Sequence, residues 1–197
     1  LGTGEQAITH ARAISKVRQV ETLVVWGRSV DRAQQLSEKM RAELGIETIV
    51  APTTRVAVVD ADIVCTVTSA IEPILEGKWL QPGTHLNIVG SSYAGPVEVD
   101  NETVARSRFY VDSREGVLAQ GAEFLSAKKA GLVADDHIVG EIGDVVLGRV
   151  EGRRSPDEIT IFKSLGIAIE DLASAHHIYR KAVAMDRGLR ADFGGKR

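Results

Sequence analysis

Leu1-Gly2-Thr3-Gly4-Glu5-Gln6-Ala7 opens the chain, and the spacing of its small residues decides the fold. Gly2, Gly4 and Ala7 fit the G-x-G-x-x-[GA] pattern of a dinucleotide-binding turn. In such a turn the first glycine makes the tight bend. The second lets the backbone approach a pyrophosphate, and the small third residue lets the following helix pack on its strand. The pattern predicts a helix from about Glu5 to Arg18, its first N–H groups facing phosphate. A strand normally delivers this turn, yet only Leu1 precedes it, so the sequence reads as a fragment whose first strand is absent. A sheet lacking that central strand would expose two unpaired edges, and the fragment is expected to fold poorly alone.

Working outward, apolar strands alternate with helical stretches. Thr22–Trp26 reads as a strand and Ser29–Leu44 as a helix, with Ala33, Leu36, Met40 and Leu44 on one stripe. Strands follow at Glu47–Ala51, Asp62–Thr68, His85–Val89 and Arg108–Val111. Arg55–Val59 reads as a short helix or turn, and helices are predicted at Asp100–Ser107 and Ser113–Ala119. This alternation defines an α/β class, a Rossmann-type doubly wound parallel sheet with helices on both faces. Past Gly121 the pattern changes. His137–Leu147 reads as a helix capped by Asp135 or Asp136, Gly148–Pro156 as a loop, and Glu158–Phe162 as short and β-like. Ile167–Arg187 reads as a long helix, and the tail from Gly188 as frayed. The division expected is 1–125, the nucleotide-binding domain without its first strand, and 126–197, a C-terminal helical segment packing on it.

Bulk properties exclude several classes. Of 197 residues, 44% are hydrophobic and 26% charged, as in ordinary soluble globular domains. A net charge of −3 gives no footprint for nucleic acid or an anionic membrane. No apolar run is long enough to span a bilayer. The single cysteine, Cys65, rules out an intrachain disulfide and fits a reducing cytoplasm. No Cys/His cluster has zinc spacing, so no metal is expected.

The end of the Thr22–Trp26 strand bears on the cofactor. An NAD enzyme places an Asp or Glu there to bond the ribose 2′-OH. Here Trp26-Gly27-Arg28-Ser29 carries no carboxylate. Arg28 and Ser29 supply a cation and a hydroxyl suited to a 2′-phosphate. Arg32, in the first turn of the next helix, opposes the helix dipole unless an anion is bound nearby. NADP(H) is favoured over NAD(H). Two alternatives stay open: Asp31 serving NAD(H), or Arg28 and Arg32 as solvated residues with Ser29 only a helix cap.

Taken together, the chain resembles the ornithine cyclodeaminase/mu-crystallin family. The matching stretches are TGEQA (Thr3–Ala7), VWGRS (Val25–Ser29), TVTSAIEPIL (Thr66–Leu75), HLNIVGSS (His85–Ser92), EVDNETV (Glu98–Val104), YVDSRE (Tyr110–Glu115), GEIGDV (Gly140–Val145) and TIFKSLGIAIED (Thr160–Asp171). The resemblance implies an N-terminal substrate and dimerisation domain ahead of the Rossmann domain, to which the C-terminal helix returns. It therefore implies a homodimer, and it puts the family's carboxylate-clamping Arg and active-site Lys outside this numbering. It places Thr3, Glu5 and Gln6 at the pyrophosphate, beside the turn glycines Gly2 and Gly4, and Arg28 and Ser29 at the adenosine phosphate, near Arg32. Thr66, Val67 and Thr68 would line the cofactor, and Lys163, Ser164 and Leu165 would reach its nicotinamide side.

The family's shared step is hydride transfer at a carbon bonded to an amino or imino nitrogen of a small amino or imino acid. Cyclodeaminases resemble one another in a Gly-Gly-Asp after the HLNIV-type strand, where the carboxylate can take protons. This chain has Gly90-Ser91-Ser92-Tyr93, with Ser92 at the Asp position. That departure favours reduction of a cyclic ketimine or pyrroline-2-carboxylate over cyclodeamination of ornithine or alanine-type dehydrogenation. A non-catalytic NADPH-dependent binding protein is the reading from another class. Ser92 is the one candidate substrate contact, and no catalytic residue is assigned. Asp100 reads as a helix cap, Cys65 as core, and Arg153-Arg154 as solvated loop charge. His10 is placed under the glycine turn, His85 at a strand start, and His176 and His177 on a surface or interface of the long helix.

Overall fold

The structure, a computed structural model, describes residues 1–191 and 194, so part of the tail expected to be frayed lies outside the described residues. Helix α1 (Glu5–Val17) leads to strand β1 (Thr22–Val25), then α2 (Val30–Leu44), β2 (Glu47–Val50), α3 (Thr54–Val58) and β3 (Ile63–Thr66). Next come β4 (His85–Ile88), α4 (Asn101–Ala105), β5 (Arg108–Val111), α5 (Arg114–Gln120) and α6 (Ala122–Lys129). The chain continues through β6 (Ile138–Glu141), α7 (Ile142–Val146), β7 (Thr160–Lys163) and α8 (Ala168–Ala184). Caps fix several boundaries. Ser29, Thr53, Asp100 and Ser113 each accept a backbone N–H three residues on, and Gly45, at φ 70°, closes α2 in the left-handed region.

All strand pairings are parallel. β1 pairs with β2, and a five-stranded sheet runs β3-β4-β7-β5-β6. Leu1 and Gly2 lie between β1 and β3. The Leu1 amino group donates to Cys65 O (2.7 Å), Val67 N–H donates to Leu1 O (2.9 Å), and Gly2 N–H donates to Trp26 O (2.8 Å). Two backbone residues thereby join the two sheets.

In the larger sheet β5 and β7 are buried at three of their four positions, whereas β3, β4 and β6 alternate buried with half-buried residues. Leu86, Ile88, Phe109, Val111, Phe124 and Ile161 are fully buried in one core. The Phe109 and Phe124 rings pack 5.6 Å apart at 46°. A smaller core of Val25, Ala33, Leu36 and Met40 holds α2 on the other sheet.

One expectation needs correction, and two features go beyond the sequence reading. Residues 137–147 form strand β6 and the short α7 rather than one helix, following a 3₁₀ turn at Asp135–His137. The run IVGEIGDVV satisfies both periodicities, and pairing with β5 decides it, since Ile138 is buried there. α6, buried through Ala122, Glu123, Phe124 and Ala127, is not evident in the sequence because Glu123 interrupts its apolar stripe. β7 is the central strand of its sheet, inserted between β4 and β5. One compact unit runs Leu1–Leu165, and residues 126–165 contribute two strands to it. The second unit, Gly166–Arg197, contains α8, on which no residue is buried. Among the described residues no helix is long and apolar enough to cross a membrane.

At the amino ends of β4 and β7, His85 Nδ1 lies 2.7 Å from Thr160 Oγ1. Arg153, expected as loop charge, donates to Thr160 Oγ1 (3.0 Å), Gly83 O (2.6 Å) and Glu158 O (2.7 Å). Burial, assisted by the Arg153 charge, pushes the His85 pKa below its ordinary 6.5. The folded state resists a proton that the unfolded chain accepts. The stability conferred by neutral His85 is complete above pH 6.5 and is lost as pH falls from there toward the folded pKa. His85→Gln is expected to flatten the fall in thermal midpoint between about pH 7 and pH 5. An unchanged slope would remove His85 from that linkage.

Candidate functional site

The carboxyl ends of parallel strands collect at one edge of a sheet, and ligands of such folds bind there. At this edge α1 starts on Gly4, whose backbone is extended (φ −90°, ψ −171°) and which offers no side-chain cap. The N–H groups of Glu5 and Gln6 have no acceptor among the described residues, while Ala7 N–H bonds Gly4 O at 3.1 Å. An uncapped helix start with free N–H groups is an anion site.

The glycines of this edge fall into two kinds. Gly2 sits at φ +122°, and a Cβ there would stand 2.8 Å from Val67 O. A Cβ on Gly27 would meet Thr3 Cγ2 at 2.5 Å. These two glycines serve close packing within the protein. A Cβ on Gly4 would meet nothing within 4 Å and would project into open space. Gly4 keeps that space clear outside the backbone, where a pyrophosphate needs to approach. The cradle fits a dinucleotide.

Beyond β1, Arg28, Ser29 and Arg32 are all exposed. Ser29 Oγ caps α2 by accepting from Arg32 N–H at 3.3 Å. Neither guanidinium is ion-paired among the described residues. Thr66 is fully buried, with Oγ1 lacking a hydrogen-bond partner there. Val67 lies against Gly2, and the Thr68 N–H and Oγ1 both donate to Glu98 Oε1, at 2.6 and 2.7 Å.

The β4 exit turns sharply at Gly90, where a Cβ would stand 2.1 Å from Thr68 O and 2.5 Å from the Glu98 carboxyl carbon. Ser91 is buried and its hydroxyl donates to Pro96 O. Ser92 and Tyr93 are exposed on the loop so closed. Lys163, expected toward the nicotinamide, turns its side chain inward. It is fully buried, 3.0 Å from Glu123 Oε2, and donates to Ser91 O. The Glu123 Oε2 contact is an ion pair without an aligned hydrogen bond. The half-buried Ser164 and Leu165 are held by their backbone N–H groups, to Ile88 O (3.1 Å) and Asp112 Oδ2 (2.6 Å).

Sequence reasoning missed Glu123, whose signal is a lone carboxylate inside the apolar GAEFL run. Glu98 is overshadowed in the sequence by its neighbour Asp100. It is fully buried, whereas Asp100 caps α4 and also accepts from Gly77 N–H at 2.9 Å. Cys65 is half-buried, and burial pushes its thiol pKa up, so it stays protonated. His85 lies at the opposite ends of the strands from the glycine turn, and His176 and His177 are exposed on α8. Among the described residues no group of His, Cys, Asp or Glu is placed to hold a metal ion.

Fold and site together define a Rossmann-type α/β unit with an open dinucleotide cradle. Residues 1–186 match the ornithine cyclodeaminase/mu-crystallin family, and the chain belongs to that family. It is 33% identical over 194 residues to a Δ1-pyrroline-2-carboxylate reductase of Bacillus cereus, covering 98% of this chain and 59% of that protein. It is 33% identical over 179 residues to the ketimine reductase mu-crystallin of Mus musculus, covering 91% of this chain and 53% of that one. Among solved structures it superposes on the Thermococcus litoralis Δ1-pyrroline-2-carboxylate reductase in complex with NADH and L-proline. That match has a TM-score of 0.93 and 37% identity, over 96% of this chain and 59% of the other. An archaeal alanine dehydrogenase dimer with bound NAD matches with a TM-score of 0.88 and 29% identity, over 98% and 59%. The chain thus spans less than two thirds of the length of these relatives.

The crowding at Gly90 gives a direct test. Gly90→Ala forces a methyl group onto the Thr68 carbonyl and the Glu98 carboxylate, and should destabilise by about 3 kcal/mol or more in chemical denaturation. A loss under about 0.5 kcal/mol would mean the β4 exit is not held as described.

Proposed function

We propose that this chain is the nucleotide-binding part of an NAD(P)-dependent reductase that converts a cyclic imino acid, a ketimine or pyrroline-2-carboxylate, to an amino acid. The observation that carries the reading is the cradle, an uncapped helix start beside a Gly4 that faces open space. Gly2, Thr3, Gly4, Glu5 and Gln6 hold the pyrophosphate. Thr66, Val67 and Thr68 line the cofactor beyond β3, and Ser164 and Leu165 lie on its nicotinamide side. When bound, the cofactor supplies the hydride. The protein holds the dinucleotide, keeps its reactive end at the carboxyl edge of the sheet, and presents Ser92 to substrate or to a substrate-bound water.

Arg28, Ser29 and Arg32 support NADP(H), since two unpaired guanidiniums stand where an NAD site would carry a carboxylate. NAD(H) is the second reading, because the two solved relatives described above hold NADH and NAD. Ser92 supports imine reduction over cyclodeamination, a serine without a partner being a poor base for the amine protons. The family's Arg and Lys would come from a substrate domain outside this sequence. We place the protein in the cytoplasm as a homodimer with a small amino-acid or imino-acid substrate. Nucleic acid and membrane are not among its partners.

The test uses the full-length protein, following NADPH absorbance with Δ1-pyrroline-2-carboxylate and its six-membered homologue. Rapid oxidation is the expected result, and Arg28→Ala should weaken NADPH about tenfold more than NADH. Turnover of ornithine with ammonia release would move the assignment to cyclodeamination. Tight NADPH binding without turnover of any amine or imine would move it to a binding protein.

A further inference from the structure

The β4 exit loop is held by a closed circuit of buried charge that the reaction chemistry does not use. The Glu98 carboxylate accepts from Gly90 N–H through Oε2 (2.7 Å) and from Thr68 through Oε1. The Glu98 N–H, at the far stem of the same loop, donates to Glu123 Oε1 (3.2 Å). Glu123 Oε2 pairs with Lys163 Nζ at 3.0 Å, and Lys163 donates to Ser91 O, next to Gly90. Glu98, Glu123 and Lys163 are each buried to within 1%. The circuit joins the exits of β3, β4 and β7 to the first turn of α6. Both stems of the loop carrying Ser92 and Tyr93 are tied into it, while those two side chains stay exposed.

The circuit also sets where the loop stands. Gly90 is pressed on Thr68, and the preceding Val67 is pressed on Gly2. The loop is thus placed relative to the glycine turn through two consecutive residues of the β3 exit. Apolar residues could fill this volume at less desolvation cost. What charged groups add is direction: Glu98 Oε1 and Oε2, Glu123 Oε1 and Lys163 Nζ each hold a backbone N–H or C=O in one geometry.

We propose that Lys163 and Glu123 are positioning residues that fix the Ser91–Val97 loop against the nucleotide turn, and that they act on substrate through the backbone of Ser91 and Glu98. This rests on the reading of Ser92 as the substrate-side contact. A group held loosely by about 1 Å loses up to roughly a hundredfold in rate, so the loop is where loosening would register.

The experiment uses the full-length protein with Glu123→Gln, which keeps an acceptor for Glu98 N–H and removes the ion pair, and Lys163→Met, which keeps length and removes the donor to Ser91. The first readout is hydrogen exchange over residues 90–98 without any ligand. The expected result is at least about tenfold faster exchange there, with the β1 and β2 amides unchanged. The second readout is steady-state kinetics with Δ1-pyrroline-2-carboxylate. For Glu123→Gln, the imine KM should rise about tenfold while NADPH dissociation changes less than about threefold. Unchanged exchange over 90–98 would overturn the proposal, whatever the kinetics. Faster exchange with unaltered KM and kcat would overturn its functional half and leave the circuit purely structural. If the wild-type protein turns over no imine, the reductase reading fails, and the exchange result still decides whether the circuit holds the loop. Should Lys163→Met not fold, Glu123→Gln carries the test alone.

Discussion

Every strand pairing in this molecule is parallel, and the place of the site follows from that constraint. Parallel strands send all their carboxyl ends to one edge, so the turns after β1, β3, β4 and β7 meet there although they are far apart in sequence. Leu1 and Gly2 are central to the arrangement. Their backbone groups bond to Cys65 and Val67 on one side and to Trp26 on the other, linking the two-stranded and five-stranded sheets. Gly2 then turns the chain into α1 at a φ only glycine adopts cheaply. Gly2 is therefore both a hinge of the fold and the first residue of the cradle.

Packing at this edge is polar as well as apolar. A buried carboxylate such as Glu98 is tolerable because three donors meet it, two from Thr68 and one from Gly90. Glu123 and Lys163 meet each other. Removing one partner of such a pair leaves an uncompensated buried charge, at a typical cost of about 3–5 kcal/mol. These groups enforce one geometry on the loop exits, whereas the apolar cores of Leu86, Phe109 and Ile161 beneath enforce compactness.

Much of this was legible in the sequence. The glycine spacing located the turn and α1, and the runs TLVV, IVCT, HLNI and RFYV became strands close to the expected bounds. Capping residues marked the helix starts at Ser29, Asp100 and Ser113. The later part misread for identifiable reasons. Residues 137–147 carry both helical and extended periodicity, and the neighbouring strand chose between them. β7 reads as marginal because Thr160 and Lys163 break its apolar run, yet both are buried and satisfied by groups remote in sequence. Local pattern cannot see Glu123 approaching Lys163 across 40 residues. For the same reason the inward course of the Lys163 side chain, toward Ser91, is not visible in the sequence.

The dinucleotide binding proposed for residues 2–6 can be separated from folding by one substitution. Gly4 has an ordinary negative φ and open space at its Cβ, so aspartate fits there and would serve as a good helix cap. The same carboxylate would occupy the space a pyrophosphate needs and repel it. The decisive measurement is equilibrium binding of NADPH and NADH to the full-length Gly4→Asp protein, alongside its thermal midpoint. The expected result is a midpoint equal to or above the parent's, with affinity for both nucleotides reduced by at least about a hundredfold. Undiminished nucleotide binding in a well-folded Gly4→Asp protein would contradict the assignment of the cradle.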